Sequence, residues 1–213
     1  MKKTIKTIAV IAILAIAVFG LSGCGKQANK NNSDENKSSK SESTNFIDSK
    51  DSYFISIDGK KFYAGDKISD LESAGYTVRK SEANEKVPAN KYMIGAGHMV
   101  TKDNKSSFSV TPYNNTGSSV NVSEAVIGGV DFDDTDIKYD EKIARIEVYG
   151  GIKIGSTKEE VKKVFGEPSS TVELSKSTSC EYKSKETYRS YTFKFDKEGK
   201  VTGIEWQNLV LNK

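Results

Sequence analysis

The sequence predicts an α+β fold in which short helices pack on antiparallel β-sheet. Three observations predict it: extended segments outnumber helical ones, tight turns separate them, and no two extended segments have βαβ spacing. The elements begin only after about fifty residues of quite different composition, which fall into two parts.

The first part is a leader. Lys2, Lys3 and Lys6 precede an apolar run of 14 residues, Ile8 to Leu21. A helix that spans a bilayer needs roughly 20 apolar residues, so the run suits the apolar region of a secretory signal peptide better. It ends in Leu21-Ser22-Gly23-Cys24, which resembles the lipobox of Gram-positive-type bacterial lipoproteins. The resemblance implies that residues 1–23 are removed. Cys24 would be diacylated and become the first residue of a protein lipid-anchored at the extracytoplasmic face of the cell membrane. The other readings of the segment are a membrane anchor that ends in cysteine and a cleaved, unlipidated chain. Two acyl chains hold a protein stably, since each buried methylene contributes about 0.8 kcal/mol.

The second part, residues 24–51, is expected to be a flexible tether. Before Phe46 it holds no aromatic or branched apolar side chain, so it cannot bury enough surface to offset the entropy of ordering. Formal charge is +3 over the whole chain, but the leader holds three of the 32 basic residues and none of the 29 acidic ones. The remainder is balanced, which excludes the electrostatic footprint of a nucleic-acid binder. With Cys24 lipidated, Cys180 has no partner for a disulfide, and the fold must rest on burial.

Two α+β units are expected, 52–142 and 143–213. The first opens with a hairpin, Tyr53–Ile57 and Lys60–Ala64, turned by Asp58-Gly59. Ile68, Leu71 and Ala74 share one face of a short helix that Gly75 ends, and Tyr76–Arg79 is extended. Lys80–Asn90 reads as a loop. Strands are expected at Tyr92–Ile94, Ser107–Tyr113 and Val120–Ile127.

The second unit opens with an expected strand, Ile143–Tyr149. A helix follows, with either Ser156 and Glu159 or Thr157 and Glu160 as its capping box; Val161, Val164 and Phe165 form its apolar stripe, and Gly166 and Pro168 end it. Thr171–Leu174, Cys180–Lys183, Thr187–Phe195 and Val201–Gln207 read as a meander. Its aromatic face carries Tyr191, Phe193, Phe195 and Trp206; Tyr188, Thr192 and Lys194 point the other way, with Glu205.

Gly65-Asp66, Leu71 and Ala74 echo Gly155-Ser156, Val161 and Val164 at an offset of 90 residues. The echo marks either two related halves or merely two capped short helices. The run Gly155 to Pro168, followed by Tyr191-x-Phe193-x-Phe195-Asp196-x-x-Gly199-x-Val201, resembles a repeat of small bacterial lipoproteins. These group with the β-lactamase-inhibitor-protein-like fold and the SmpA/OmlA outer-membrane assembly lipoproteins. The resemblance covers about a third of the chain beyond the leader. It implies a helical hairpin laid on antiparallel sheet, working by protein–protein contact without cofactor. The sequence departs from it in offering one convincing helix per half.

Chemical motifs are sparse. Gly150 to Thr157 approaches a phosphate-binding P-loop but has Ser156 where the lysine belongs. His98 and Cys180 are the one histidine and the one remaining thiol, the best available nucleophile–base pair. Asp131, Asp133, Asp134 and Asp136 form an acidic cluster that reads as a solvated charged loop; weak calcium ligation, without the EF-hand pattern, is the alternative reading.

The expectation is therefore a non-catalytic interaction or inhibitor-like module with no cofactor. It meets the membrane through its lipid and another envelope protein through Tyr188, Thr192, Lys194 and Glu205. A small-ligand or solute sensor and an envelope hydrolase are the alternatives.

Overall fold

A computed structural model of the chain describes residues 46–93 and 97–209, all within one unit that begins at Glu42. The signal segment, Cys24 and most of the tether, as well as Ile94 of the expected strand Tyr92–Ile94, lie outside the described residues. Among the described residues no helix is long and apolar enough to cross a membrane.

The strands are β1 (Phe54–Ile57), β2 (Lys60–Tyr63), β3 (Thr77–Val78), β4 (Lys86–Val87), β5 (Lys91–Tyr92), β6 (His98–Lys102), β7 (Lys105–Asn114), β8 (Val120–Asn121) and β9 (Val126–Asp133). The α-helix α1 (Lys158–Phe165) follows, then β10 (Ser170–Glu173), β11 (Thr178–Lys183), β12 (Arg189–Phe195) and β13 (Val201–Asn208). One antiparallel sheet runs β10-β11-β12-β13-β9-β7-β6-β3, with β5 paired to β7; β1-β2 and β4-β8 form small separate pairs. Short helices on antiparallel sheet are thus the architecture.

Local chemistry accounts for the elements. Asp58 and Gly59 take φ of 50° and 84°, the positive pair that a type I′ hairpin turn demands. In α1 the capping box is the Thr157 register: Glu160 N–H donates to Thr157 Oγ1 at 3.1 Å, and Thr157 N–H donates to Glu160 Oε2 at 2.7 Å. Ile68–Ala74 winds as a 3-10 helix. Tyr191, Phe193, Phe195, Ile204 and Trp206 alternate onto the buried face of the sheet. There Phe165 of α1 meets Tyr182, Tyr191 and Phe193 at ring distances of 5.4, 5.0 and 4.9 Å.

Five expectations need correction. Lys80–Asn90 is not all loop, since β4 lies within it and pairs with β8. Ile143–Tyr149 is no strand. Its first residues close a 3-10 turn, Glu141–Arg145; only Glu147 bridges to Ser56, and a second turn follows at Tyr149–Gly151. Val120–Ile127 is broken by a 3-10 turn, Val122–Glu124. The long strand β9 begins at Val126 and runs through Asp131 and Asp133, which reading the cluster as a loop had missed. The fold also starts before Ser52. Phe46 stacks on Tyr149 at 4.8 Å and meets Phe165 edge-on at 4.9 Å. The Asp48 carboxylate takes the Ser184 hydroxyl and the Lys185 N–H. Residues 46–51 are therefore part of the packed domain.

The boundary expected at 142/143 falls inside the Glu141–Arg145 turn, and the segments on both sides of it share the large sheet. The halves nevertheless fold alike. Gly65 N–H bonds to Ile127 O and Ile127 N–H to Asp66 O; Gly155 N–H bonds to Val201 O and Val201 N–H to Ser156 O. Tyr63 N–H donates to Asp66 Oδ2 as Lys153 N–H donates to Ser156 Oγ. The meander β3-β6-β7-β9 corresponds to β10-β11-β12-β13, and the two join through their last strands. Even the irregularity recurs: β7 slips register against β9 after Thr111, as β12 slips against β13 after Lys194. The 90-residue echo is a structural repeat.

Candidate functional site

The seam between the two halves carries the candidate site. Its register is symmetric about the Asp131–Glu205 pair: Trp206 pairs Val130 as Ile204 pairs Phe132, and Gln207 pairs Gly129 as Gly203 pairs Asp133. Asp131 and Glu205 are therefore the same position in the two repeats, brought side by side on the solvent face of the sheet. Strand alternation fixes this, because Val130, Phe132, Ile204 and Trp206 are all buried on the other face.

Neighbouring strands extend the row. Ser109 of β7 pairs Asp131, Thr192 of β12 pairs Glu205, and Glu181 of β11 pairs Thr192. One row along, Ser179, Lys194, Gly203 and Asp133 line up in the same way. Three of the four expected contact residues, Thr192, Lys194 and Glu205, thus share one surface, and Asp131 and Asp133 of the acidic cluster join them. Gly97, Ser109, Thr111, Asp131, Glu205 and Gln207 wall a depression of about 250 Å³ there. It exists partly because Gly129 carries no side chain: a Cβ would stand 2.8 Å from the Trp206 carbonyl and 3.3 Å from Thr111 Oγ1.

Electrostatics single out Asp131. It keeps an exposed edge, yet the packed strands strip water from its carboxyl and raise its pKa above the usual carboxylate range. Lys194 opposes that shift, while Glu205 and Asp133 add to it. A carboxyl with a raised folded pKa binds its proton more readily folded than unfolded. Stability from this group therefore grows as pH falls through the folded pKa and is absent at neutral pH. Asp131→Asn is expected to raise the melting temperature at pH 7, with the gain shrinking as the buffer is taken into the acid carboxylate range. A gain that stays constant with pH would assign the effect to packing instead.

The remaining expected residues go elsewhere. Tyr188 is not in the row: it sits in the turn before β12 with φ of 68°, and its ring lies 5.7 Å from that of Tyr92. The strand parity that seemed to place it ends one residue later, at Arg189. Asp133 and Asp136 cap the chain as it leaves β9: Asp133 Oδ1 accepts from Thr135 N–H at 2.8 Å, and Asp136 Oδ2 accepts from Asp133 N–H at 3.0 Å. Asp134 is exposed beside them. Among the described residues no three acidic, histidine or cysteine side chains converge to hold a metal ion.

His98 and Cys180 are kept apart. Both are buried, on β6 and β11, with β12, β13, β9 and β7 between them. Five strand spacings of about 4.8 Å put them roughly 24 Å apart. His98 Nε2 lies 3.0 Å from Glu85 Oε2, and the nearest recorded polar neighbour of Cys180 Sγ is Thr171 Oγ1 at 3.7 Å. The glycine-rich run before α1 is occupied as well: Gly155 N–H is bound to Val201 O and Ser156 N–H to Lys153 O, so neither faces a phosphate.

Compared with family models, curated proteins and solved structures, the chain finds no match. The seam row is what the chain's own geometry offers.

Proposed function

We propose that this chain is an exported lipoprotein, lipidated at Cys24, that presents a non-catalytic protein-interaction module at the extracytoplasmic face of the cell membrane. The observation that carries the reading is the division of the sheet. Every large aromatic of β12 and β13 is spent on the core face, while Thr192, Lys194, Glu205 and Asp131 gather on the solvent face. A surface of small and charged side chains on rigid strands suits a partner with its own polar groups. The leader supports the anchoring half of the proposal through its basic start, short apolar run and Leu21-Ser-Gly-Cys24 ending.

Both halves are testable in one host. Wild-type chain should incorporate an alkyne-tagged palmitate and partition into detergent, and Cys24→Ser should do neither; an unlabelled wild-type chain would end the lipoprotein reading. A photo-crosslinker at Thr192 should then trap one defined envelope protein. Lys194→Glu combined with Glu205→Lys should abolish that adduct while leaving melting unchanged. The same adduct from the charge-swapped variant would remove the sheet face from the proposal.

A further inference from the structure

Around the described residues, four of the surface cavities are walled by at least one carboxylate, and another is not. The exception, of about 270 Å³, lies between the ordered N-terminal turn and the far ends of β7, β12 and β13, away from the seam row. Its polar wall is Lys50, Arg189, Asn115, Asn208 and Tyr113, with Gly65 beside them. Two cations and no acid line the wall itself; the carboxylate influence nearby is Asp48, whose pKa is lowered chiefly by the Ser184 hydroxyl and also by the charges of Lys185 and Arg189.

The hydrogen-bond ledger shows which donors remain. Arg189 Nε donates to Asn208 Oδ1 at 2.9 Å and Nη1 to Asp48 O at 2.9 Å, which fixes the guanidinium and leaves Nη2 without a partner among the described residues. Asn208 spends its carbonyl oxygen on that bond, so its amide N–H groups stay available. Lys50 forms no ion pair within 4.0 Å among the described residues. Carboxylates on nearby segments are engaged with other groups: Asp48 with Ser184 and Lys185, and Asp66 with Tyr63 N–H.

We infer that this cavity is a binding site for a compact phosphate-type oxyanion. Such a ligand accepts from Arg189 Nη2 and the Asn208 amide while Lys50 supplies a mobile point charge, the division of labour by which arginine orients and lysine neutralises a phosphate. At about 270 Å³ the cavity is below the about 300–1,000 Å³ of sites for drug-sized molecules and has ample room for a phosphate group. Free phosphate and the phosphodiester of a lipid headgroup share the required chemistry.

The test titrates the full chain, held in non-ionic detergent, with inorganic phosphate and separately with glycerophosphoglycerol, following the heat of binding. Saturation by inorganic phosphate alone assigns the site to the free ion; saturation by the diester assigns it to a headgroup; either supports the inference. Lys50→Gln is expected to weaken whichever probe binds about tenfold, the loss of one hydrogen bond to a charged group, and Lys50→Glu to abolish binding. Lys50 makes no side-chain hydrogen bond or ion pair among the described residues, so both variants should melt with the wild type. Lys176→Gln, on the β10–β11 turn, should bind unchanged. No saturable heat with either probe, an unaltered affinity in Lys50→Glu, or an equal loss in Lys176→Gln overturns the assignment.

Discussion

Trp206→Ala is expected to cost about 3–5 kcal/mol of folding stability, the range for deleting a large buried aromatic. That is a large share of the roughly 5–15 kcal/mol that holds a typical domain folded. Trp206 is fully buried at the seam, on the core face opposite the Asp131–Glu205 pair, and its ring meets Tyr53 edge-on at 6.0 Å. The cavity it would leave opens between β9, β13 and Tyr53, the residue that leads into β1. Trp206→Phe should lose much less. The indole Nε1 has no hydrogen-bond partner among the described residues, and an unsatisfied buried donor costs about 1–3 kcal/mol. The other repeat already places Phe132 at the corresponding position. Urea unfolding followed by far-ultraviolet circular dichroism decides the matter. Equal losses for the two variants would mean that a phenyl ring restores none of the packing, and that the indole itself, not buried ring volume, decides stability there.

Much of this fold was legible where a single period runs uninterrupted. The hairpin at Asp58-Gly59, the capped helix after Gly155 and the aromatic alternation of residues 191–206 each carry a local signal that tertiary packing agrees with. The misreadings have physical causes too. Ile143–Tyr149 is apolar and β-branched, yet its backbone is bent at both ends, and its apolar side chains reach the core from turns. In β9 the period-two pattern was present, with Val130 and Phe132 in and Asp131 and Asp133 out. Gly128-Gly129 before it and the dense acids after it disguised the strand as loop. Phe46 was visible as the first aromatic after the tether, but nothing local says that Tyr149 and Phe165 are waiting for it.

The site was legible only in fragments. Thr192, Lys194 and Glu205 follow from alternation within one meander. That Asp131 joins them depends on the pairing of β9 with β13, strands separated by the whole of the second repeat's helix and meander. Two features read separately, an acidic cluster and a polar sheet face, are one surface because register is a long-range property. The symmetry explains why carboxylates meet there: a repeat with an acid at one outward position of its last strand places two of them together when the last strands pair.

The close packing of the second repeat against its own preceding turn yields the other large expected effect. Gly150→Ala should destabilise the domain by about 2–5 kcal/mol, from two separable sources. Gly150 has φ of 74°, where an L side chain costs about 1–2 kcal/mol. An added Cβ would also stand 2.4 Å from Val164 Cγ1 and 2.8 Å from Cγ2 on α1, and overpacking of this kind costs about 1–3 kcal/mol. Gly151 separates the two sources. Its φ is 75°, but nothing lies within 4 Å of its added Cβ, so Gly151→Ala should show the backbone penalty alone. Val164→Ala in the Gly150→Ala background should recover part of the loss, because it removes both γ-methyls and leaves only the 3.1 Å contact to its own Cβ. A double-mutant cycle in urea measures that coupling. Strict additivity of Gly150→Ala and Val164→Ala would mean that α1 does not rest on the Tyr149–Gly151 turn, and that capping, buried Val161 and the aromatic contacts of Phe165 hold the helix to the sheet.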